Sequence, residues 1–374
     1  VVTLAERFRS YAEHCEQLYA VLIRAMAADW ESGGVVRSIC AGWEDAPAGS
    51  FVQLRLLAGI HRLVLSGRAP ELERFYPHLG GSADPLRAWP AFEAVLGAHV
   101  EELRQALDVA PQTNEPGRSA ALLVGLFEAV RRSGLSKIRL LEPGASAGLN
   151  LLVDRFRIGG PGWWSGPVDS PLVLADAILG ELEPVEYQIV DRRGCDLSPL
   201  DASTDEGRLH LTSFVWPHHL QRHDRLRAAL EVAHAEPVAV DRAPAAQWLS
   251  GQLRSAPASD VLTVVWHSVT RLYWPAAETA RVDAAIIAAG ERMPVAHVAM
   301  EYPVAEAGRR AELSVSVHLP GSMRSAAVIA DVQQTPGGVV VAEVADHGVP
   351  VLLNRRVAQP PMPSTPNGDR PAGA

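Results

Sequence analysis

The sequence predicts an α/β protein, a doubly wound and mostly parallel sheet preceded by an N-terminal helical domain. Three observations carry this. Residues 1–115 show helical periodicity without a convincing strand; short apolar runs then alternate with helical patterns to about residue 300; and the central runs end beside acids, histidine and small residues. Strands alternating with helices become parallel neighbours, because each crossover returns the chain to the same end of the sheet.

The helical elements come first. Leu4, Phe8, Tyr11, Cys15, Leu18 and Leu22 recur in steps of four and three, which puts them on one face of a helix that Gly33-Gly34 terminates. A second helix carries Leu54, Leu57, His61 and Leu65, and a third spans about 89–107 with Phe92, Leu96, Val100 and Leu103 on one side. After Pro111 the pattern changes. A helix over 120–132, a strand over 138–141 and a helix over 148–156 are followed by strands at 187–191, 238–241, 261–266, 296–300, 312–319, 326–332 and 339–344. Helices at 222–235, 243–254 and 276–290 separate the earlier strands. The later ones follow one another directly, which predicts a locally antiparallel edge. The domains are then 1–115, helical, and 116–356, α/β with an insertion at about 157–186. The proline-rich 357–374 reads as a disordered tail.

Composition excludes several chemistries. Of 34 basic side chains in 374 residues only Lys137 is a lysine, and Ser133-Gly134-Leu135-Ser136-Lys137 fits neither a Walker A loop nor a pyridoxal phosphate site. The net charge of −9 and the absence of basic runs argue against nucleic acid or an anionic membrane as partner. Cys15, Cys40 and Cys195 lie far apart with no C-x-x-C spacing, so a reducing compartment is expected. No apolar run approaches the ~18 residues of a membrane span. The start of the chain lacks a secretory layout, and a cytoplasmic location is expected.

The most informative segment is Glu142-Pro143-Gly144-Ala145-Ser146-Ala147-Gly148-Leu149-Asn150, directly after the first predicted strand. A strand-terminal acid, a tight turn of small residues and a helix start would place a ligand at the carboxyl end of the strand, beside free N–H groups. The glycine spacing departs from the G-x-G-x-x-G of dinucleotide sites, which disfavours a nicotinamide-dependent oxidoreductase. It resembles motif I of class I S-adenosylmethionine-dependent methyltransferases, E-x-G-x-G-x-G, with Ser146 at the middle glycine. The segment Gly194-Cys195-Asp196-Leu197-Ser198-Pro199 resembles the second-strand ending of that family, G-x-D-x-S-P. Asp196 would accept the ribose hydroxyls, or else it caps the next turn, with Asp191 its rival. About 46 residues separate Asn150 from Asp196, where roughly 20 would be usual, so something is inserted.

Other positions complete the reading. Asp241 ends the third strand, where the resemblance implies the adenine side. His267 ends the fourth, either as a general base or as a buried structural histidine, and in the catalytic reading it lines the acceptor together with Tyr273. Gln112, Asn114, Glu115 and Arg118 form a polar run of which a helix cap explains only part, so they are expected to face substrate. Trp163 and Trp164 lie in a glycine-rich loop that is either a substrate lid or a surface loop pinned by its indoles. His219 and His223 have helical metal-pair spacing but lack the glutamate of H-E-x-x-H, and no metal is expected.

Taken together, the segments 55–65, 67–72, Gln112-Thr113-Asn114-Glu115, Glu142 to Asn150, 192–201 and Trp266-His267-Ser268 resemble the uncharacterised family catalogued as domain of unknown function 2332, over about residues 3–355. That resemblance implies a class I methyltransferase-like, Rossmann-like domain behind a helical region. The expected function is an S-adenosylmethionine-dependent methyltransferase acting on a small-molecule acceptor. Glu142, Gly144, Ala145, Ser146, Gly148, Asn150, Asp196 and Asp241 would hold the cofactor. The alternative is a non-catalytic nucleotide-binding or protein-interaction module.

Overall fold

A computed structural model describes residues 2–303, 310–321 and 338–354. The predicted strand at 326–332 and the predicted tail lie outside them.

Six helices come first: α1 (Leu4–Ala12), α2 (Gln17–Ser32), α3 (Val35–Ile39), α4 (Val52–Leu65), α5 (Trp89–Ala98) and α6 (Val100–Leu107). A capping box opens α1, in which Thr3 Oγ1 accepts from the Glu6 N–H and the Glu6 carboxylate accepts from the Thr3 N–H. The stripe Leu4 to Leu22 is a core face, as its spacing predicts, but it belongs to two helices rather than one. The chain turns at residues 13–16 and packs α2 back on α1, so both halves of the stripe meet in one core with Met26, Leu56 and Phe92. The predicted helix at 89–107 likewise breaks, at His99, whose φ of −126° and ψ of 29° leave the helical region. Gly33 ends α2 in a left-handed conformation. At Gly34 a Cβ would come within 2.0 Å of the buried Asp29 carboxylate, which accepts the Val36 N–H at 2.7 Å.

The α/β part follows as α7 (Ser119–Ser133), β1 (Lys137–Pro143), β2 (Arg157–Gly160), β3 (Trp163–Ser165), β4 (Val173–Leu174), β5 (Ile178–Leu179) and β6 (Gln188–Asp196). Then come α8 (Asp205–Ser213), α9 (Leu220–Ala235), β7 (Val240–Arg242), α10 (Ala245–Gln252), β8 (Val261–Ser268), α11 (Ala276–Gly290), β9 (Val295–Glu301), β10 (Ala311–His318), β11 (Val339–Val344) and β12 (Val351–Leu353). Nine strands form one sheet in the order β5-β12-β11-β10-β9-β8-β1-β6-β7. The run from β9 to β7 is parallel throughout, and β9, β10, β11 and β12 pair antiparallel in succession. The parallel half has the reversal typical of doubly wound sheets, with β1 at its centre. All eight residues of β8 are buried, as expected of a strand covered on both faces. On one face α7 packs into the main core; on the other, α10 and α11 enclose a second cluster around Leu141, Leu249 and Ile286.

Two expectations change here. The segment after the Gly144–Gly148 turn is not an α-helix but a 3₁₀ run (Leu149–Arg155) kinked at Leu152. Arg192 holds it through a two-pronged ion pair to Asp154, at 2.7 and 2.8 Å, and a bond to the Leu151 carbonyl. The insertion forms its own sheet from β2, β3 and β4, and lends β5 to the main sheet's edge. Gly159 and Gly160 stand opposite Trp164 and Trp163 across the β2–β3 pair, where a Cβ would come within 2.8 and 2.5 Å of the indoles. The glycines seat the tryptophans. Trp163 packs on Phe127 of α7 and Trp164 lies under Arg157, so neither reaches the carboxyl ends of the central strands.

Candidate functional site at the carboxyl edge of the sheet

β1 and β8 are the neighbours at which the strand order reverses, and a doubly wound sheet opens a ligand crevice outside their carboxyl ends. Two non-glycine residues with left-handed backbone stand there, Ser146 (φ 55°) after β1 and Val269 (φ 54°) after β8. Such a conformation is strained for Ser and more so for a β-branched Val. Gly144 (φ 80°) and Gly148 (φ 76°) need it too, and a Cβ on Gly144 would meet Thr270 Cγ2 at 2.5 Å. The turn and the loop after β8 therefore touch.

Most of the turn's N–H groups are already engaged. Those of Gly144 and Ala145 donate to the Cys195 carbonyl at 2.7 and 2.9 Å, Gly148 to Ala145, Ser146 to Asp196 Oδ2 at 2.9 Å, and Leu149 to Asn114 Oδ1 at 2.9 Å. Asp196 also accepts the Ser198 N–H on Oδ1, at 2.9 Å. It thus caps two turns at the end of β6, and each oxygen keeps a further lone pair. The rival Asp191 is paired with Arg139 toward the other end of that strand. Asp241 accepts from Trp248 Nε1 at 2.7 Å.

Glu142 differs from these. It is 2% exposed, and its Oε2 has no hydrogen-bond partner among the described residues. Burial pushes its carboxyl up to about 8, against the opposing pull of Trp266, Arg118 and Asn150, while the nearby Asp196 charge adds to the rise. Asn150 itself accepts from Ser119 Oγ at 2.8 Å.

The polar run before α7 proves largely internal. Gln112 bridges Ser146 Oγ and the Ser198 carbonyl, and Asn114 supports the turn. Glu115 is buried between Arg222 (2.6 Å) and Arg225 (3.1 Å); burial alone would raise its carboxyl, and the two guanidiniums outweigh that and lower it. Gln112, Asn114 and Glu115 border a pocket of only about 10 Å³, whereas Arg118 lines a much larger cavity. Its Nη1 reaches the Ser268 carbonyl at 3.2 Å, and its Nε has no partner.

His267 is fully buried. Its Nδ1 lies 2.7 Å from Glu301 Oε1 and its Nε2 2.9 Å from His297 Nε2, so both ring nitrogens are committed. This is the structural-histidine arrangement rather than that of an accessible base. Glu301 also accepts the Thr270 N–H at 3.0 Å and thereby clamps the loop that carries Val269. His219 stacks on Trp216 and His223 on His78, and among the described residues no group of three or more His, Cys, Asp or Glu is placed to hold a metal.

A cavity of about 480 Å³ lies between this edge of the sheet and the N-terminal helices. Tyr273 and Arg118 line it, and the other walls include Tyr11, Phe51, Trp216, Arg222, Tyr302 and His347, none of which sequence reasoning assigned to a ligand site. They converge from five chain segments, and no local spacing signals that. Pro217-His218-His219 directly after Trp216 was the nearest clue.

Fold and site define an α/β protein with a Rossmann-like parallel half-sheet, a strained turn at its switch point and a cavity roofed by helices. No helix among the described residues is long and apolar enough to cross a membrane. The model of the family described as uncharacterized protein conserved in bacteria (DUF2332) matches residues 5–350, and the chain belongs to that family. Comparison with curated proteins and with solved structures returned no match.

Proposed function

We propose that the protein is an S-adenosylmethionine-dependent methyltransferase acting on a small molecule, with the cofactor at the β1–β6 edge of the crevice. One observation carries the reading: Glu142, buried at the end of β1 with an oxygen unpartnered among the described residues, stands beside Asp196 at the end of the neighbouring β6. Two carboxyl groups there, one kept neutral by its surroundings, suit a ligand that brings both positive charge and a vicinal diol. The ammonium and sulfonium of the cofactor would restore the Glu142 charge, and the spare lone pairs of Asp196 would accept ribose hydroxyls. The methyl donor is already activated, so the protein's work is to align the acceptor and exclude water.

Calorimetric titration with S-adenosylmethionine and S-adenosylhomocysteine tests this. Micromolar binding, weakened roughly 10- to 100-fold in Asp196→Asn by loss of a charge-assisted bond of about 1.5–3 kcal/mol, supports it. No binding by folded protein at high micromolar ligand rejects it. The engaged nitrogens of His267 favour a second reading, a Rossmann-like module that binds without turnover. Binding with no methyl transfer across an acceptor panel would select that one.

A further inference from the structure

The 480 Å³ cavity lies outside the pair of acids at the β1–β6 edge, and its lining sets two guanidiniums, Arg118 and Arg222, against two carboxylates, Glu16 and Asp346. Loops following β8, β9 and β11 supply Val269, Tyr302 and His347, and the helical layer supplies Tyr11, Tyr19 and Phe51. Two guanidiniums reach it. Arg118 is 9% exposed; Nη1 holds the Ser268 carbonyl and hydroxyl, and Nε meets no acceptor among the described residues. Arg222 commits Nε to Glu115 and Nη1 to the His219 ring. Glu115 is already shared with Arg225, so one carboxylate faces three guanidiniums. Nearby histidines add no charge: burial holds His219 at about 4 and His347 at about 3, and both are neutral at pH 7. A buried cation without a full set of acceptors is costly, and an anionic ligand is what would relieve it.

We propose that this cavity binds a small aromatic carboxylate, its carboxylate on Arg118 and Arg222 and its ring among Tyr11, Phe51 and Trp216. The planar guanidinium fork matches a carboxylate. The walls are aromatic and meet edge-on or tilted, with Trp216 at 6.5 Å from Tyr11 and 5.6 Å from Tyr19, and Tyr11 at 6.4 Å from Phe51. A single charge fits better than a phosphate dianion, because Glu16 and Asp346 line the same space and would repel a second charge. The volume is within the range of about 300–1,000 Å³ usual for small-molecule sites. That this carboxylate is the methyl acceptor rests on the methyltransferase reading; the anion site does not.

The experiment is calorimetry on the full chain with 1-naphthoate, its neutral amide and 1-naphthyl phosphate, each with and without S-adenosylhomocysteine. The carboxylate is expected to bind at least tenfold tighter than the amide and the phosphate, and Arg118→Gln should abolish the preference over the amide. Should that variant fail to fold, the three-ligand comparison on the unmodified protein decides. Equal affinity for acid and amide, a preference for the phosphate, or no binding of any of the three overturns the inference. Carboxylate binding without cofactor binding keeps the cavity assignment and sinks the methyltransferase reading; cofactor binding without carboxylate preference does the reverse.

Discussion

Glu142 makes the ligand-free protein less stable as the pH rises, and the size of the effect follows from its burial. Its carboxyl titrates at about 8 in the fold, against a reference of 4.5, because burial disfavours the charge. Between those values the native state holds a proton that the unfolded chain has released. Stability therefore falls with pH across that window, by up to about 1.4 kcal/mol per unit. From pH 5.5 to 7.5 the loss comes to about 2.5 kcal/mol. Glu142→Gln removes this term and leaves the other titrating groups in place. Urea unfolding of both proteins at several pH values, followed by circular dichroism, should show the stability difference moving by that amount in the variant's favour as pH rises. A difference constant to about 0.5 kcal/mol across the range would mean that Glu142 ionises normally, and the argument for a cationic ligand would lose its basis. With the cofactor bound the proton should be released, and the calorimetric enthalpy should then depend on the buffer's ionisation heat.

Other perturbations have equally definite outcomes. Glu115→Gln strips the shared partner from Arg222 and Arg225 inside the protein, and should cost about 3–5 kcal/mol in denaturant unfolding. Since the Glu115 carboxyl is lowered in the fold, the stability it contributes is present above its unfolded value and lost as pH falls through the native one. Lys137→Arg should leave melting temperature and ligand binding unchanged, because Lys137 makes only an exposed pair with Asp260 at the opposite end of β1 from the crevice. Gly160→Ala should lower the melting temperature by forcing Trp163 off its seat, without changing ligand affinity.

The parallel half of the sheet was legible because a buried strand leaves a mark that neighbours cannot erase: β1, β8 and β9 are apolar runs bounded by turn residues. The breaks at residues 13–16 and at His99 left none. The first contains neither glycine nor proline and keeps the helical phase, so the stripe from Leu4 to Leu22 runs through it, and at the second Gly97 stands two residues ahead of the break inside an otherwise continuous helical pattern. The site residues divide the same way. That Glu142 and Asp196 stand together at the carboxyl edge was legible because both end strands, β1 and β6. The commitment of His267 depends on β9 lying beside β8 in a register that pairs it with Ala299, between His297 and Glu301. Alternation in His297-Val298-Ala299-Met300-Glu301 held that information, but only strand order turns it into contact. For Trp163 and Trp164 the sequence left lid and pinned loop open for a related reason. A glycine pair beside two indoles looks like a mobile loop until the cross-strand register puts each ring over a glycine.

The edge strand β5 ties the chain's history to its geometry. Ile178, from the insertion, pairs with Val351, so the far margin of the sheet closes only after nearly the whole described chain has been synthesised. Until then β5 has no partner on that side, and a protein cut before residue 350 would never provide one. Removing the insertion would leave the opposite defect, a bare β12 offering its backbone to another molecule. Self-association on trimming either segment is the consequence, and the two-residue length of β5 suggests a stopper whose role is to end the sheet rather than extend it.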